Sequence, residues 1–340
     1  MNKNLKTIIC ALFGIVIIAI SIFAYTSFFG APQKQAELEQ FTVSTTTAED
    51  RDKKIIDDAG EIAELLKEKG FIKSMLGFNI AFAGRISSRC VDCIGSGAYK
   101  ISKSMSAFEI ASVLKKGPYM KWAVIPEGLR KEEIADILTS VLGWSDEEKE
   151  QWISVYTAMK FDETEGVYFP DTYLVPVDEE PIKVAERLRV KFNEKFTPYA
   201  EETAKQNIKW DTLLKIASIV QREAADKDDM PLIAGILWNR LLKNTKLEVD
   251  ATLQYARGDV GDGWWAPITL ADKQIDSPYN TYKYAGLPPH PIANPGLDAI
   301  KAVLYPEETK CMFYLHDESK KIYCAETYEN HRENIKTFLQ

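Results

Sequence analysis

A single carboxylate lies on the apolar side of a predicted helix in the segment KIASIVQREAADK, residues 215–227. At about 100° per residue, Glu223 falls between Ile216 and Ile219 on the helical wheel. Burial without a partner disfavours the charged form of a carboxyl group and therefore raises its pKa. The same apolar arc contains Leu213, Ile216, Ala217, Val220 and Ala224.

Two interpretations of Glu223 remain open at this point. The first is a structural ion pair with Arg240 or Lys243, which lie on the next predicted helix, beginning near Pro231. The second is a carboxylic acid that stays protonated near neutral pH, as a general acid requires. The residue pattern alone does not choose between them.

Other residues with suitable chemistry follow this helix. In KLEVDATLQY, Glu248 and Asp250 are further acids, and Asp250 is read either as a second catalytic carboxylate or as a loop or cap residue. Asn280, Thr281 and Tyr282 offer an amide, a hydroxyl and an aromatic face, the groups that bind sugars, although a loop that merely packs would use the same residues.

The three histidines, His290, His316 and His331, have no metal-ligand spacing, and no phosphate-binding or dinucleotide-binding motif is present. We therefore predict no metal and no organic cofactor. The formal net charge of −8 argues against non-specific binding to nucleic acid, so no nucleic-acid partner is expected.

The elements that must position these residues predict an α+β fold. From Tyr119 onward the pattern gives a strand, a turn and several helices, and the last third is rich in Tyr, Pro, Gly and Asn. Helices that carry a carboxylate and face an aromatic wall built from loops suit a long polar ligand in a groove. Residues 53–118 predict a smaller α+β module, with a helix over 106–116 ending at Gly117 and Pro118.

The N-terminus predicts a membrane span. Residues 7–30 carry no charge, while Lys3 and Lys6 precede them and an acidic stretch follows. This length is enough to cross the hydrocarbon core, and the positive-inside rule places residues 1–6 in the cytoplasm and the rest outside. The alternative is a cleaved signal peptide, although TSFFGAPQ is a poor cleavage site. Residues 31–52 predict a tether.

Cysteine usage fits a location outside the cytoplasm. Cys90 with Cys93, and Cys311 with Cys324, are each close enough in sequence for a local disulfide in an oxidising compartment. A zinc site made from all four would require them to converge, and free thiols would persist in a reducing environment. Cys10 lies inside the predicted span.

Several motifs together resemble the endolytic murein transglycosylase (YceG-like) family. The resemblance extends from about residue 50 to the end of the chain. Its motifs are EGVYFPDTY, IASIVQREA, ILWNRL, LEVDATLQYARG, SPYNTYKYAGLPPHPIANPG and TYENHRENI.

The resemblance implies endolytic cleavage of peptidoglycan glycan strands, leaving 1,6-anhydro-N-acetylmuramic acid ends, with Glu223 as the catalytic acid. It further implies a LysM-like module at 53–118, a catalytic domain at 119–340, and action at the cytoplasmic membrane beside peptidoglycan synthases, which would end the elongation of nascent strands. Asp250, Thr252, Tyr255, Asn280, Thr281 and Tyr282 are its expected substrate-binding residues.

Two rival functions stay open. One is a true hydrolase in which Asp250 serves as base or nucleophile, since ordinary glycoside hydrolases pair two carboxylates. The other is a non-catalytic protein that binds peptidoglycan or acts as a division scaffold, with a structural Glu223.

Overall fold

A computed structural model describes residues 3–44, 59–83, 94–157 and 165–339 of the chain. Helices and strands are mixed, which confirms the predicted α+β class. The chain divides into two compact units, one of residues 1–122 with 174–177 and one of residues 123–173 with 178–340. The module and catalytic-domain limits expected from sequence remain predictions.

Helix α1 (Lys3–Phe28) begins the first unit. Its stretch Ile9–Phe28 has 20 residues and a mean hydropathy of 2.5, and its side chains are exposed. At a rise of 1.5 Å per residue this stretch is about 30 Å long, the thickness of a bilayer hydrocarbon core. By length and composition α1 is therefore a candidate membrane span.

The rest of the first unit packs helices against a sheet with the strand order β1-β2-β3-β4. β1 pairs with β2 in antiparallel register, from Leu38 opposite Ser102 to Val43 opposite Gly97. The elements are β1 (Leu38–Val43), α2 (Ala59–Glu68), α3 (Met75–Ala83), β2 (Gly97–Ser102), α4 (Ala107–Lys116), β3 (Met120–Val124, in this unit up to Trp122) and β4 (Thr172–Pro176, in this unit from Leu174).

Strand β1 occupies a place where the sequence predicts a tether. Its alternate residues Phe41 and Val43 are buried in the core of the unit, which explains why this stretch pairs with β2 instead of remaining free. The expected helix over 106–116 is present as α4. Its Ser106 cap accepts the Glu109 amide, and Glu109 in turn accepts the Ser106 amide.

The second unit is mainly helical. Its helices and strands are α5 (Lys131–Leu142), α6 (Asp146–Gln151), α7 (Pro181–Lys205), α8 (Trp210–Glu223), α9 (Met230–Leu242), α10 (Asp250–Arg257), α11 (Leu297–Leu304), β5 (Phe313–His316), β6 (Ile322–Ala325) and α12 (Tyr328–Phe338). One π-helical turn, Trp152–Tyr156, follows α6, and a 3₁₀ turn, Asp272–Gln274, follows α10.

Helix α8 lies at the centre of this unit, packed against α9, α10 and α11. Four members of the predicted apolar arc, Leu213, Ile216, Ala217 and Val220, are buried as expected from the wheel, whereas the fifth, Ala224, lies just beyond the helix and is partly buried. The helix ends at Glu223, because Ala224 adopts an extended conformation. The carboxylate therefore stands at the C-terminal end of a fully packed helix.

The hairpin β5–β6 follows α11 and is antiparallel, with Tyr314 opposite Cys324 and His316 opposite Ile322. Cys311 and Cys324 form a disulfide, with their Cα atoms 5.8 Å apart, as one of the sequence interpretations proposes. Cys90 and Cys93, the other proposed pair, lie outside the described residues.

Candidate active site

A cavity of about 460 Å³ opens at the end of α8. Its walls come from α8, α9, α10, the loops after α9 and α10, the β5 strand and α12, so segments from the last third of the chain meet the end of the central helix. The lining residues are Glu223, Arg240, Leu247, Glu248, Asp250, Lys273, Tyr282, Phe313, Tyr314, Tyr328, His331 and Ile335.

Glu223 is partly buried at the wall of this cavity. Its Oε2 accepts a hydrogen bond of 2.6 Å from the hydroxyl group of Tyr314. The backbone amide of Ala251, in the first turn of α10, also donates to this carboxyl group. The Tyr314 hydroxyl and the Ala251 amide therefore fix the carboxyl group by hydrogen bonds, while Glu223 also lines the cavity.

Removal from water raises the pKa of Glu223 above its ordinary value, and the negative charge of Asp250 adds to the increase. The Tyr314 hydrogen bond, the Ala251 amide and His316 act in the opposite direction without cancelling it. The C-terminal end of α8, with its partial negative charge, also disfavours a carboxylate at this position. This arrangement favours a protonated acid that is accessible from the cavity.

Asp250 is the first residue of α10 and lines the same cavity. Its Oδ1 accepts a hydrogen bond of 2.5 Å from the hydroxyl group of Tyr282. Burial and this contact with Asp250 raise the pKa of Tyr282, so its phenol stays neutral. Lys273 lies over the Tyr282 ring, 4.1 Å from its centre. Asp250 and Tyr282 thus form a hydrogen-bonded polar pair in the wall of the cavity.

The other four predicted binding residues are not among the described residues that line the cavity. They are Thr252, Tyr255, Asn280 and Thr281. All four are buried. The Thr252 and Thr281 hydroxyl groups are 2.9 Å apart, and the Asn280 side-chain amide donates to the carbonyl of Ile275. These side chains shape the loops that carry Asp250 and Tyr282, and direct sugar contact by them stays a prediction.

The ion pair considered as the alternative for Glu223 does not form. The Arg240 guanidinium pairs with Glu248 at 3.3 Å and donates to the carbonyl of Met312. The ammonium group of Lys243 contacts the sulfur of Met312. Both cations are thus engaged elsewhere, so the interpretation of Glu223 as half of a buried salt bridge is wrong.

Sequence reasoning missed Tyr314 and the contact between His316 and Asp229 beside it. The imidazole Nε2 of His316 lies 3.0 Å from a carboxylate oxygen of Asp229, and the Tyr314 and His316 rings meet edge to face. The signal was present as Tyr-x-His in a strand, since residues two apart share one face. What the sequence did not reveal was which element this face would meet.

Among the described residues, no group of three or more histidine, cysteine or acidic side chains is arranged so that it could hold a metal ion. His331 does line the cavity, but it stacks on Phe313 rather than approaching a second histidine. Burial and the nearby Arg240 lower the pKa of His331, which favours its neutral form.

A second carboxyl group, Glu165, is fully enclosed elsewhere in this unit. It accepts hydrogen bonds from the Lys131 amide at 2.8 Å, from the Asn294 side-chain amide at 2.8 Å and from the Tyr255 hydroxyl at 3.2 Å. Burial, reinforced by the charge of Glu132, raises the pKa of Glu165 to about 8. Glu165 therefore has a raised pKa, as catalytic acids often do, but its carboxyl group is buried and a ligand cannot reach it.

Comparison with known proteins gives consistent results. The sequence model of the YceG-like family matches residues 56–337. Proteins named endolytic murein transglycosylase from Streptococcus pneumoniae strain D39 and Bacillus subtilis strain 168 are each 28% identical to the chain, over 81% and 82% of its length. The chain spans 55% of the streptococcal relative, about half its length, and 81% of the Bacillus relative.

A solved structure agrees with this. The crystal structure of a yceG-like protein from Listeria monocytogenes matches with a TM-score of 0.59 and 25% sequence identity. The match covers 87% of this chain and 99% of the Listeria chain.

Proposed function

The chain belongs to the YceG-like family, and from that premise we propose that it is an endolytic murein transglycosylase with Glu223 as its acid and base. The observation that carries the proposal is one accessible carboxyl group with a raised pKa, held by Tyr314 at a cavity. The names of the relatives support the substrate, peptidoglycan glycan strands.

The first chemical step requires a protonated acid. Glu223 donates its proton to the oxygen that links N-acetylmuramic acid to N-acetylglucosamine, and the bond from this oxygen to the muramic anomeric carbon breaks. The oxygen leaves as a hydroxyl group of N-acetylglucosamine. Positive charge develops at the anomeric carbon, where the N-acetyl group of the substrate stabilises it. A raised pKa keeps Glu223 protonated for this step near neutral pH.

The second step returns the proton. The 6-hydroxyl of the same muramic residue bonds to its own anomeric carbon, and the Glu223 carboxylate takes the proton that this hydroxyl releases. The product is a 1,6-anhydro end, water is not consumed, and the acid is restored. One carboxyl group serves both steps, whereas hydrolases position a second one for a nucleophile or a water molecule.

Asp250 acts in this proposal through its charge and not as a second catalyst. It accepts the Tyr282 hydroxyl and raises the pKa of Glu223. Tyr282 and the exposed ring of Tyr328 offer aromatic surface to pyranose rings within the same cavity.

Helix α1 supplies the proposed location. It is long and apolar enough to anchor the chain in the cytoplasmic membrane, with the N-terminus inside and the chain after α1 outside. The region after α1 is proposed to be a LysM-like module. An anchored enzyme would cut strands close to where they are made, next to peptidoglycan synthases, and so end their elongation.

The deciding experiment is mass spectrometry of the products from purified glycan strands, incubated with the full chain or with Glu223→Gln. Internal fragments one water lighter than hydrolysis products are expected from the native chain and not from the variant. Reducing ends would establish a hydrolase and point to Asp250 as its second carboxylate. Intact strands that both proteins still bind would establish a scaffold instead.

A further inference from the structure

The C-terminal end of α1 is docked on helix α3 of the same unit. The carbonyl oxygen of Phe28 abuts the α-carbon of Gly77, where an added β-carbon would collide with it. The ammonium group of Lys73 donates to the Thr26 carbonyl at 3.1 Å, and so satisfies one of the last carbonyl groups of α1. Helix α3 therefore begins where the apolar stretch of α1 ends.

Helix α3 exposes apolar side chains beside this contact. Leu76 and Ile80 lie one helical turn apart and are 59% and 51% exposed, whereas Phe78 and Phe82 on the other side belong to the core. A single exposed leucine is ordinary, whereas two large apolar side chains exposed one turn apart begin an apolar patch of the kind that contacts a partner or a membrane.

Helix α4 extends this surface. Phe108 is 44% exposed, and its ring stacks on Phe29, directly after α1, with ring centres 5.0 Å apart. The Ala107 amide donates to the Phe29 carbonyl at 2.9 Å, which fixes the start of α4 against the same point. Leu76, Ile80 and Phe108, here called the juxtamembrane patch, thus flank the end of the candidate span.

Lysines border the juxtamembrane patch. Lys73 lies in the segment just before α3 and donates to the Thr26 carbonyl, and Lys115 of α4 donates to the Ala81 carbonyl at 3.4 Å. Apolar side chains bordered by lysines are the pattern of a surface that rests in the headgroup region of a bilayer, where the lysines meet phosphate groups.

We infer that the juxtamembrane patch inserts into the outer headgroup region of the bilayer that α1 spans, which makes the first unit a membrane-resting body and not a freely tethered one. The position of the patch at the end of α1 indicates that the lipid headgroups are what covers it. A span of 20 residues places Phe28 at the boundary between hydrocarbon and headgroups, and Gly77 touches Phe28. The inference rests on the proposed anchoring by α1 and is independent of the proposed cleavage chemistry.

Photo-crosslinking in the full chain tests this inference. Benzoylphenylalanine is placed singly at Leu76, Ile80 or Phe108, and the protein is reconstituted into vesicles of phosphatidylethanolamine and phosphatidylglycerol. Ile18, inside α1, is the positive control, and Leu242, a leucine 81% exposed in the second unit, is the matched negative control. Patch positions are expected to give about tenfold more lipid adduct than position 242, since interfacial side chains stay in contact with lipid.

Each other outcome overturns the inference. Lipid adducts at Ile18 but not at the patch would leave the anchor intact and remove the patch from the membrane. Crosslinks from the patch to a second copy of the chain would make it a protein interface. Absence of adducts at Ile18 would reject the anchor and the patch together, while cleavage of glycan strands by the same samples would still support the transglycosylase.

Discussion

Two carboxyl groups in the second unit are both removed from water, but their surroundings differ. Glu165 is enclosed on every side and receives three hydrogen bonds from protein donors. Glu223 stands at a cavity wall, and Tyr314 is its side-chain donor. Burial raises the pKa of both groups.

The comparison teaches that a raised pKa alone does not identify a catalytic acid. A proton on Glu165 has no route to a ligand, so its surroundings serve the fold by joining Lys131, Asn294 and Tyr255. Glu223 combines a raised pKa with access to a cavity. This access to a cavity distinguishes the proposed catalytic acid from Glu165, and the following experiments test that distinction.

Removing the Glu165 carboxyl should have the largest effect on stability. Glu165→Ala removes the acceptor of the Lys131 amide, one of the two acceptors of the Asn294 side-chain amide and one hydrogen-bond partner of the Tyr255 hydroxyl. This loss should cost about 3 kcal/mol of unfolding free energy. Glu223→Ala, the matched control, should change it by less than about 1 kcal/mol. Urea unfolding of both variants gives the two values, and equal losses would contradict the assignment of separate roles.

The pH dependence of stability should also trace to Glu165. Its folded pKa of about 8 exceeds the ordinary value of 4.5, so the folded state holds a proton that the unfolded state has released. The contribution is therefore complete below pH 4.5 and is lost as pH rises toward 8, at about 1.4 kcal/mol per pH unit at most. Glu165→Gln should flatten this slope in urea titrations at pH 5 and pH 8, whereas Glu223→Gln should leave most of it.

Loss of the Tyr314 hydroxyl should alter catalysis and spare the fold. Tyr314→Phe removes a hydrogen bond that lowers the pKa of Glu223, so the high-pH limb of kcat/KM should move upward. Poorer positioning of the acid should reduce kcat about tenfold. Tyr323→Phe, which removes a hydroxyl bonded to Asp317 on the same hairpin, serves as the control. If the high-pH limb of kcat/KM does not move in Tyr314→Phe, the Tyr314 hydroxyl does not influence the pKa of Glu223.

The smallest effect is expected from Asp250. Asp250→Asn removes a charge that raises the pKa of Glu223, so the high-pH limb of kcat/KM should move down, opposite to Tyr314→Phe. Glu248→Gln, an acid of the same cavity paired with Arg240, should not move it. Complete loss of cleavage in Asp250→Asn, with reducing ends from the native chain, would favour the hydrolase.

Local regularity explains what the sequence could predict. α8 is an amphipathic helix, so a helical wheel located Glu223, and α4 was predictable from its Ser106 cap and the Gly117 stop. In each case the evidence lies within a few residues of the feature.

Long-range packing explains what the sequence missed. Tyr314 is 91 residues from Glu223, and no local pattern links a four-residue strand to the end of a helix. The sequence also did not reveal that Thr252 and Asn280 are buried, because buried loops need the same hydrogen-bonding groups as sugar-binding ones, and sugar contact by these two residues stays a prediction. The β1 pairing likewise depends on β2, far along the chain.

The disulfide between Cys311 and Cys324 links the oxidation state of two thiols to the geometry of the cavity wall. Cys324 stands directly opposite Tyr314 in the hairpin, so the bridge holds the strand pair that delivers the phenol to Glu223. Such bonds persist in oxidising compartments and not in the cytosol. Reduction of the bridge would release this constraint on the strand pair, so the position of the Tyr314 phenol beside Glu223 depends on the oxidation state of two cysteines.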